Sequence, residues 1–330
     1  MSEKKDAILS VRDLDVIYTS DKKIVHAVNG VSFDLEKGKT LGLVGETGAG
    51  KTTIARAILG ILPNPPSKLR AGEIFFEGTD LLALKENEML KIRGEKIAMI
   101  FLDPMTALNP LMTVGDQIAE GILQHSDLKK NESKEKAEEM LEMVGIPRGR
   151  YDEYPFEFSG GMKQRVVIAM ALACNPELLL ADEPTTALDV TIQAQILDLI
   201  NTLKQDYGMS MVLITHDLGV VAQTCDHVAV IYSGQIVEYG SREDIFLRAK
   251  HPYTHGLFDS LPSMNGESDR LTPIKGMPPD PTNLPQGCSF GPRCPYYTEA
   301  CGETMPELTE IEPGHFCRCS GFEEVGKCRT

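Results

Sequence analysis

The sequence has no apolar stretch long enough to cross a membrane. Its longest apolar runs, such as residues 166–173, are far shorter than the roughly 18–20 residues that a membrane-spanning helix needs. The first residues also lack the apolar core of a secretory signal. We therefore expect the protein to stay in the cytosol unless a partner holds it elsewhere.

The sequence also lacks an excess of positive charge and any internal repeat. Its 330 residues carry a net charge of −15 at pH 7. A surface this acidic repels phosphate backbones and anionic lipids, which argues against nucleic acid as the main partner. With 42% hydrophobic residues, the chain can form one large domain with appendages, or two domains.

The most informative segment that is present is a glycine-rich run fitting the phosphate-binding pattern G-x-x-x-x-G-K-[ST]. An apolar run precedes it and apolar residues at helical spacing follow it to residue 62, so a helix N-terminus points at the bound anion. Its glycines let backbone N–H groups face phosphate oxygens, its lysine reaches the β- and γ-phosphates, and its first threonine ligates Mg²⁺. The predicted nucleotide-binding residues are Gly45, Glu46, Thr47, Gly48, Ala49, Gly50, Lys51, Thr52 and Thr53.

Five short apolar runs indicate the fold class. Because they are continuous rather than alternating, they predict strands buried on both faces, which is typical of a parallel sheet. Helical patterns such as residues 132–144 lie between several of them and predict an α/β domain with ligands at the carboxyl ends of the strands. Residues 105–175 contain no clear strand pattern and predict an inserted helical lobe. The five runs are residues 40–44, 97–101, 178–181, 211–214 and 227–231.

Two further motifs carry chemistry. The apolar run at residues 178–181 ends in Asp182, which is suited to holding Mg²⁺, and Glu183, which is suited to act as general base on the attacking water. Ser159 is a candidate N-cap, and Gly160 and Gly161 leave backbone N–H groups open to an anion. Taken alone, the second motif is better explained as a simple helix cap.

In this order the motifs resemble those of the ATPase subunits of ABC transporters. The resemblance covers about residues 8–245 and includes residues 158–162, 187–189 and 215–217. It implies an α/β P-loop NTPase fold (ABC ATPase) with an antiparallel β region, an inserted helical subdomain at about residues 105–175 and a small cysteine-rich C-terminal module.

The resemblance also implies how ATP is bound. Two ATP molecules lie in a head-to-tail dimer, with the phosphate loop of one chain facing the Ser159 segment of the other. His216 is expected to sense the γ-phosphate and help orient the water, and Tyr18 is expected to stack on adenine.

One residue departs from the family pattern. Leu102 follows the run at residues 97–101, where the family usually has glutamine. Leucine cannot ligate Mg²⁺ or hydrogen-bond to the attacking water. ATP binding should survive, but an alternative to an active ATPase is a partner subunit that binds ATP and hydrolyses it poorly.

The tail carries the signal for a subfamily. Residues 232–240, 251–254 and 287–295 resemble the dipeptide/oligopeptide importers, although some ATPases for nickel and other small solutes share parts of this tail. The resemblance implies a second ATPase subunit (identical or different), two membrane permeases and, indirectly, an extracytoplasmic peptide-binding protein. We expect a peripheral protein on the cytoplasmic side of the membrane, with an ATPase domain at residues 1–262 and a cysteine-rich module at residues 263–330.

Eight cysteines are present, and six of them lie between residues 288 and 328. In a cytosolic chain such a group favours a metal or cofactor site over disulfides, whereas Cys174 and Cys225 are predicted to be core residues. The spacing C-x₅-C-x₆-C suits a [4Fe-4S] cluster better than zinc, which favours closer pairs. The resemblance implies that Cys288, Cys294, Cys301 and Cys319 ligate the cluster, and Cys317 is the alternative fourth ligand. Cys328 is expected to be free. The competing hypothesis is a cysteine-rich tail without a metal.

Overall fold

The structure is a computed structural model and describes residues 7–20, 23–185, 189–260 and 273–321. The chain divides into two compact units. The first comprises residues 1–35, 40–82 and 215–330, and the second comprises residues 36–39 and 83–214. The predicted boundary at residues 262/263 lies outside the described residues.

The strands are, in chain order, β1 (Ala7–Ser20), β2 (Lys23–Glu36), β3 (Thr40–Val44), β4 (Ser67–Phe76), β5 (Thr79–Asp80), β6 (Ile97–Ile100), β7 (Leu178–Asp182), β8 (Ser210–Ile214), β9 (His227–Tyr232), β10 (Gln235–Ser241), β11 (Thr309–Glu312) and β12 (His315–Cys317). The α-helices are α1 (Lys51–Ile58), α2 (Glu86–Ile92), α3 (Pro104–Ala107), α4 (Val114–Gln124), α5 (Lys130–Met143), α6 (Gly160–Leu172), α7 (Val190–Tyr207), α8 (Leu218–Thr224), α9 (Arg242–Leu247), α10 (Pro252–Asp259) and α11 (Glu299–Glu303).

The first unit contains antiparallel and parallel pairings. One sheet has the order β2-β1-β4-β5, in which β1 and β4 run antiparallel. A second run of strands has the order β11-β12-β10-β9-β3. Within it, β3 and β9 are parallel, with Leu43 opposite Ala229, and the other pairs are antiparallel. The parallel pair fixes the direction in which β3 delivers the glycine-rich loop.

The second unit contains three parallel strands, β6, β7 and β8, whose residues are all buried. Burial on both faces explains why their sequences are continuous apolar runs. Residues 105–175, all of which the structure describes, contain helices and no strand.

The five predicted strands are all present, with small differences at their ends. Phe101 lies outside β6, and α1 ends at Ile58 rather than near residue 62, because the Ile61 N–H donates back to the Arg56 carbonyl and closes the helix. The tail strands β11 and β12 were not predicted, because runs of four and three residues give too little pattern to read. β12 pairs with β10, with Cys317 opposite Glu238, and β11 pairs with β12.

Within the part of the chain that the structure describes, no helix is long and apolar enough to span a bilayer. The predicted core position of Cys225 is confirmed, since its side chain is 2% exposed and packs against Gly42 of β3. Cys174 is half-buried and its thiol lies 3.6 Å from the Gly121 carbonyl oxygen.

Gly42→Ala tests how tightly this core is packed. The new Cβ would lie 2.9 Å from the Cys225 sulfur and 3.3 Å from a Val221 methyl carbon. We expect the free energy of unfolding to fall by about 1–3 kcal/mol, because an added methyl in a filled core displaces its neighbours. Thermal unfolding followed by circular dichroism would show a lower midpoint.

Cys225→Ala supplies the matching variant, because it removes the sulfur that the new methyl meets. In the double variant the two effects should be less than additive, as is usual for residues in direct contact. Full additivity would contradict the packing described here.

Candidate functional site

The glycine-rich loop joins β3 to α1 in the first unit. Gly45, Gly48 and Gly50 have φ angles of +149°, +82° and +101°, which residues with a side chain rarely adopt, so the path of this loop depends on glycine. Gly50 is the N-cap of α1, and its carbonyl accepts a hydrogen bond from the Ile54 N–H at 3.1 Å. The N-terminus of a regular helix therefore opens at the loop, as an anion site requires.

The carbonyl side of the loop is held by the protein itself. The Lys51 Nζ is buried and donates to the carbonyl oxygens of Gly45 (2.7 Å) and Glu46 (3.0 Å). The Gly234 N–H donates to the Ala49 carbonyl at 2.9 Å. These bonds engage the carbonyls behind the loop and fix its path.

Two predicted nucleotide-contacting residues belong to the same unit as the loop. The Tyr18 hydroxyl lies 3.3 Å from the Thr53 hydroxyl, which brings this ring beside the first turn of α1. His216 is exposed in the turn before α8, where Asp217 caps the helix by accepting the Gly219 N–H at 2.8 Å.

The predicted carboxylates lie in the second unit, at the end of β7. Asp182 is 3% exposed, and the Glu183 N–H donates to the Ile214 carbonyl at 2.8 Å. Glu183 has a φ angle of +48°, a conformation that costs a residue with a side chain on the order of 1–3 kcal/mol. Such strain is typical of functional positions and is consistent with the predicted role of Glu183.

The Ser159 segment also lies in the second unit. The predicted N-cap is confirmed, because the Ser159 hydroxyl accepts the Met162 N–H at 3.4 Å at the start of α6. Ser159 and Gly160 are exposed, whereas Gly161 packs closely on Ile192 of α7. Of the motif at residues 187–189, only Asp189 is described, and it caps α7 by accepting the Ile192 N–H at 3.0 Å.

Leu102 follows β6 and is 46% exposed. The next residue, Asp103, caps α3 by accepting the Met105 N–H at 2.8 Å. Other large apolar side chains of the second unit are also exposed, namely Phe101 and Met105 beside this segment in the sequence and Leu111 and Phe156 further along the chain.

Four cysteines of the tail line one cavity of about 300 Å³, namely Cys288, Cys294, Cys301 and Cys319. This is the predicted ligand set. Cys317 is fully buried on β12 and is not among the lining residues. Among the described residues, no three of these sulfurs lie within 4.8 Å of one another, so they are not tightly clustered.

The environment of the cysteines shifts their acidity in opposite directions. Burial raises the pKa of the Cys288 and Cys294 thiols and raises the pKa of Cys319 to about 11. The hydroxyl of Thr298, by hydrogen bonding to Cys301, lowers the pKa of that thiol. A bound cation would favour the thiolate form of all four, since metal ligation releases the thiol protons.

Two contacts with the loop were not predicted from the sequence. Arg293 and Tyr253 both contact Glu46, although in the sequence their segments indicate only a subfamily. The sequence shows an arginine after Gly291-Pro292, but nothing in it identifies the partner of Arg293.

Comparison with known proteins identifies the family. Residues 28–186 match the family model described as ABC transporter, and residues 237–301 match the model described as oligopeptide/dipeptide transporter, C-terminal region. The oligopeptide transport ATP-binding protein AppD of Bacillus subtilis is 48% identical over 321 residues, which cover 97% of this chain and 98% of the relative. The corresponding protein OppD of Escherichia coli is 47% identical over 319 residues, covering 96% and 94%.

Solved structures agree with the fold. The ATP-binding cassette MJ0796, in a dimeric post-hydrolysis state bound to ADP and phosphate, is 27% identical with a TM-score of 0.64, covering 71% of this chain and 98% of that one. The chain therefore belongs to the ATP-binding subunits of ABC transporters. Within that family, it is one of the ATPases that carry the oligopeptide/dipeptide transporter C-terminal region.

Replacing loop glycines by alanine separates steric contact from backbone conformation. A Cβ at Gly50 would lie 2.3 Å from the Ala27 carbonyl oxygen, whereas a Cβ at Gly48 meets no atom within 4 Å. Gly48→Ala should cost only about 1–2 kcal/mol for its left-handed backbone. Gly50→Ala should cost more and should also displace the loop.

Thermal unfolding without nucleotide, together with titration of ADP, would measure both effects. We expect Gly50→Ala to be the less stable variant and to lose ADP binding. Equal midpoints for the two variants would show that the contact with Ala27 does not constrain the loop.

Proposed function

We propose that this chain is the ATP-hydrolysing subunit of a peptide importer. The observation that carries the proposal is the loop between β3 and α1, with its glycine turns, its helix N-terminus and the Lys51 Nζ at its centre. Relatives at 47% and 48% identity over nearly the whole chain are named as oligopeptide transport ATP-binding proteins, which supports peptides as the transported solute. Nickel or another small solute is the alternative cargo.

The proposed roles follow from the chemistry of each side chain. The N–H groups of the loop and Lys51 hold the β- and γ-phosphates, and Tyr18 stacks on the adenine. Glu183 accepts a proton from the attacking water, and His216 contacts the γ-phosphate. Thr52 and Asp182 offer hard oxygen ligands that suit Mg²⁺, which supplies charge stabilisation when bound.

A second copy or a related ATPase subunit is proposed to complete each nucleotide site. Ser159 caps α6 and leaves an exposed helix start, which suits contact with the γ-phosphate of a nucleotide held by the partner. The dimeric cassette MJ0796 bound to ADP and phosphate supports this arrangement by similarity.

The membrane permeases are proposed to contact the second unit. Its exposed apolar side chains include Leu111, which is 85% exposed, as well as Leu102 itself. We propose that residues 105–175 act as the inserted helical subdomain and that, together with the Leu102 loop, they bind the permease on the cytoplasmic side of the membrane. Apolar burial then supplies the affinity for the membrane partner.

Leu102 favours a second candidate function, a subunit that binds ATP but turns it over slowly. We expect Leu102→Gln to raise steady-state phosphate release by about tenfold, equivalent to about 1.4 kcal/mol, because glutamine can hydrogen-bond to the attacking water. The measurement is phosphate release by the purified chain, alone and with its partner ATPase.

Glu183→Gln serves as the control for that assay. It should abolish phosphate release while leaving the affinity for nucleotide nearly unchanged, because it removes the base and keeps the loop. If Leu102→Gln leaves the rate unchanged, the natural leucine does not limit hydrolysis and the slow-subunit hypothesis fails.

We also propose that the tail holds a [4Fe-4S] cluster on Cys288, Cys294, Cys301 and Cys319. Support comes from the cavity of about 300 Å³ that all four line. Tetrahedral zinc would draw four sulfurs to within about 3.8 Å of one another, since each Zn–S bond is about 2.3 Å. No such tight group of sulfurs is present among the described residues, which argues against a tetrahedral zinc site.

Anaerobic purification with iron and acid-labile sulfide assays tests the cluster. The natural chain should contain about four of each per chain, Cys319→Ala should lose most of both, and Cys317→Ala should retain them. Cys317 is the matched control because it lies two residues away and does not line the cavity. A colourless protein loaded with zinc would contradict the cluster and weaken the assignment to peptide import.

A further inference from the structure

Arg293 forms an ion pair with the phosphate loop that none of the roles above uses. Its guanidinium donates to both carboxylate oxygens of Glu46, at 2.7 and 3.0 Å, and its side chain is 4% exposed. Glu46 is the second residue of the loop. A two-point pair between a guanidinium and a carboxylate fixes orientation as well as charge, and the pair raises the pKa of Arg293.

The remaining donors of Arg293 are also engaged. Nε donates to the Lys275 carbonyl at 3.1 Å, and the two terminal nitrogens reach the Tyr232 hydroxyl at 3.2 Å and the Ile274 carbonyl at 3.4 Å. Each guanidinium nitrogen therefore has an acceptor. A side chain held at so many points has little freedom to follow a moving loop, so it holds Glu46 in one position.

A second, independent contact holds the same loop residue by its backbone. The Glu46 N–H donates to the Tyr253 hydroxyl at 2.9 Å. Tyr253 is fully buried and packs against Tyr232 and Phe290, with ring centroids 4.6 and 5.4 Å away. Phe290 belongs to the same short segment as Arg293, so backbone and side chain of Glu46 are fixed by one packed group.

The position of Arg293 in the chain links the loop to the cysteines. Arg293 lies between Cys288 and Cys294, in a turn closed by the N–H of Cys294 donating to the Gly291 carbonyl at 3.1 Å. The segment that carries two of the cavity cysteines therefore also carries the partner of Glu46.

We infer that Arg293 is a positioning residue for nucleotide binding, acting through Glu46. It holds the loop in its binding conformation before the phosphates arrive, so less ordering is needed on binding. It also neutralises a carboxylate that would otherwise repel the triphosphate beside it. The inference rests on the proposed nucleotide-binding function of the loop, and it couples the cysteine-bearing tail to nucleotide affinity.

Titration calorimetry with MgADP tests this, because ADP engages the loop and is not hydrolysed. Arg293→Gln should weaken ADP binding about tenfold, within the usual range for coupling between sites. Arg293→Lys should recover part of the affinity, since lysine keeps the charge and loses the two-point geometry. Steady-state kinetics should show a larger rise in KM for ATP than fall in kcat.

Glu46→Gln supplies the second half of the test. It removes the repelling carboxylate, so its loss of affinity should be smaller than that of Arg293→Gln. The double variant Arg293→Gln, Glu46→Gln should then bind ADP as well as Glu46→Gln alone, because Arg293 has no partner left to position. Additive losses in the double variant would overturn the inference.

Arg318→Gln is the matched control within the tail. Arg318 donates only to the carbonyls of Ile236 and Pro306 among its described side-chain contacts. It should lower the thermal midpoint while changing ADP affinity less than twofold. The inference fails if Arg318→Gln weakens ADP binding as much as Arg293→Gln, or if folded Arg293→Gln binds ADP normally. Failure of the natural chain to bind ADP would instead refute the proposed function.

Discussion

A loop that offers its backbone N–H groups to phosphate has to be held by its carbonyl side, because an unbonded carbonyl would compete for the same N–H groups. Lys51 and the Gly234 N–H supply those bonds from behind the loop. Gly50 allows the backbone to approach the Ala27 carbonyl more closely than any side chain would permit.

The second unit meets a different constraint, the burial of a carboxyl group. Asp182 is 3% exposed at the end of β7, whose four preceding residues are apolar. Parallel pairing with β8 fixes the end of β7, and the bond from the Glu183 N–H to Ile214 carries this pairing one residue further. The left-handed backbone at Glu183 ends the extended conformation of β7. The side chains of Asp182 and Glu183 therefore need not point to opposite faces of the sheet.

Features that show a clear local motif or a continuous apolar run could be predicted from the sequence. The phosphate loop, the β7 carboxylates and the Ser159 cap are each local, and the apolar runs predict parallel strands because burial on both faces leaves no alternation. The individual strands β1 and β4 were not predicted. Their mixed burial pattern and the irregular register between Arg12 and Asp15 disrupt the two-residue alternation that identifies a strand. The pair of Arg293 with Glu46 could not be predicted, because 247 residues separate its members.

This pair also bears on how the tail keeps its structure. A segment as short as residues 273–321 can bury little apolar surface of its own, so it needs external anchors. Its anchors include β12 paired with β10, Phe290 packed on Tyr232, and Arg293 bonded to Glu46. Because Glu46 belongs to the phosphate loop, its ion pair with Arg293 stabilises both the tail and the conformation of the loop. Any change at the cavity cysteines that moves Arg293 must therefore also act on the loop.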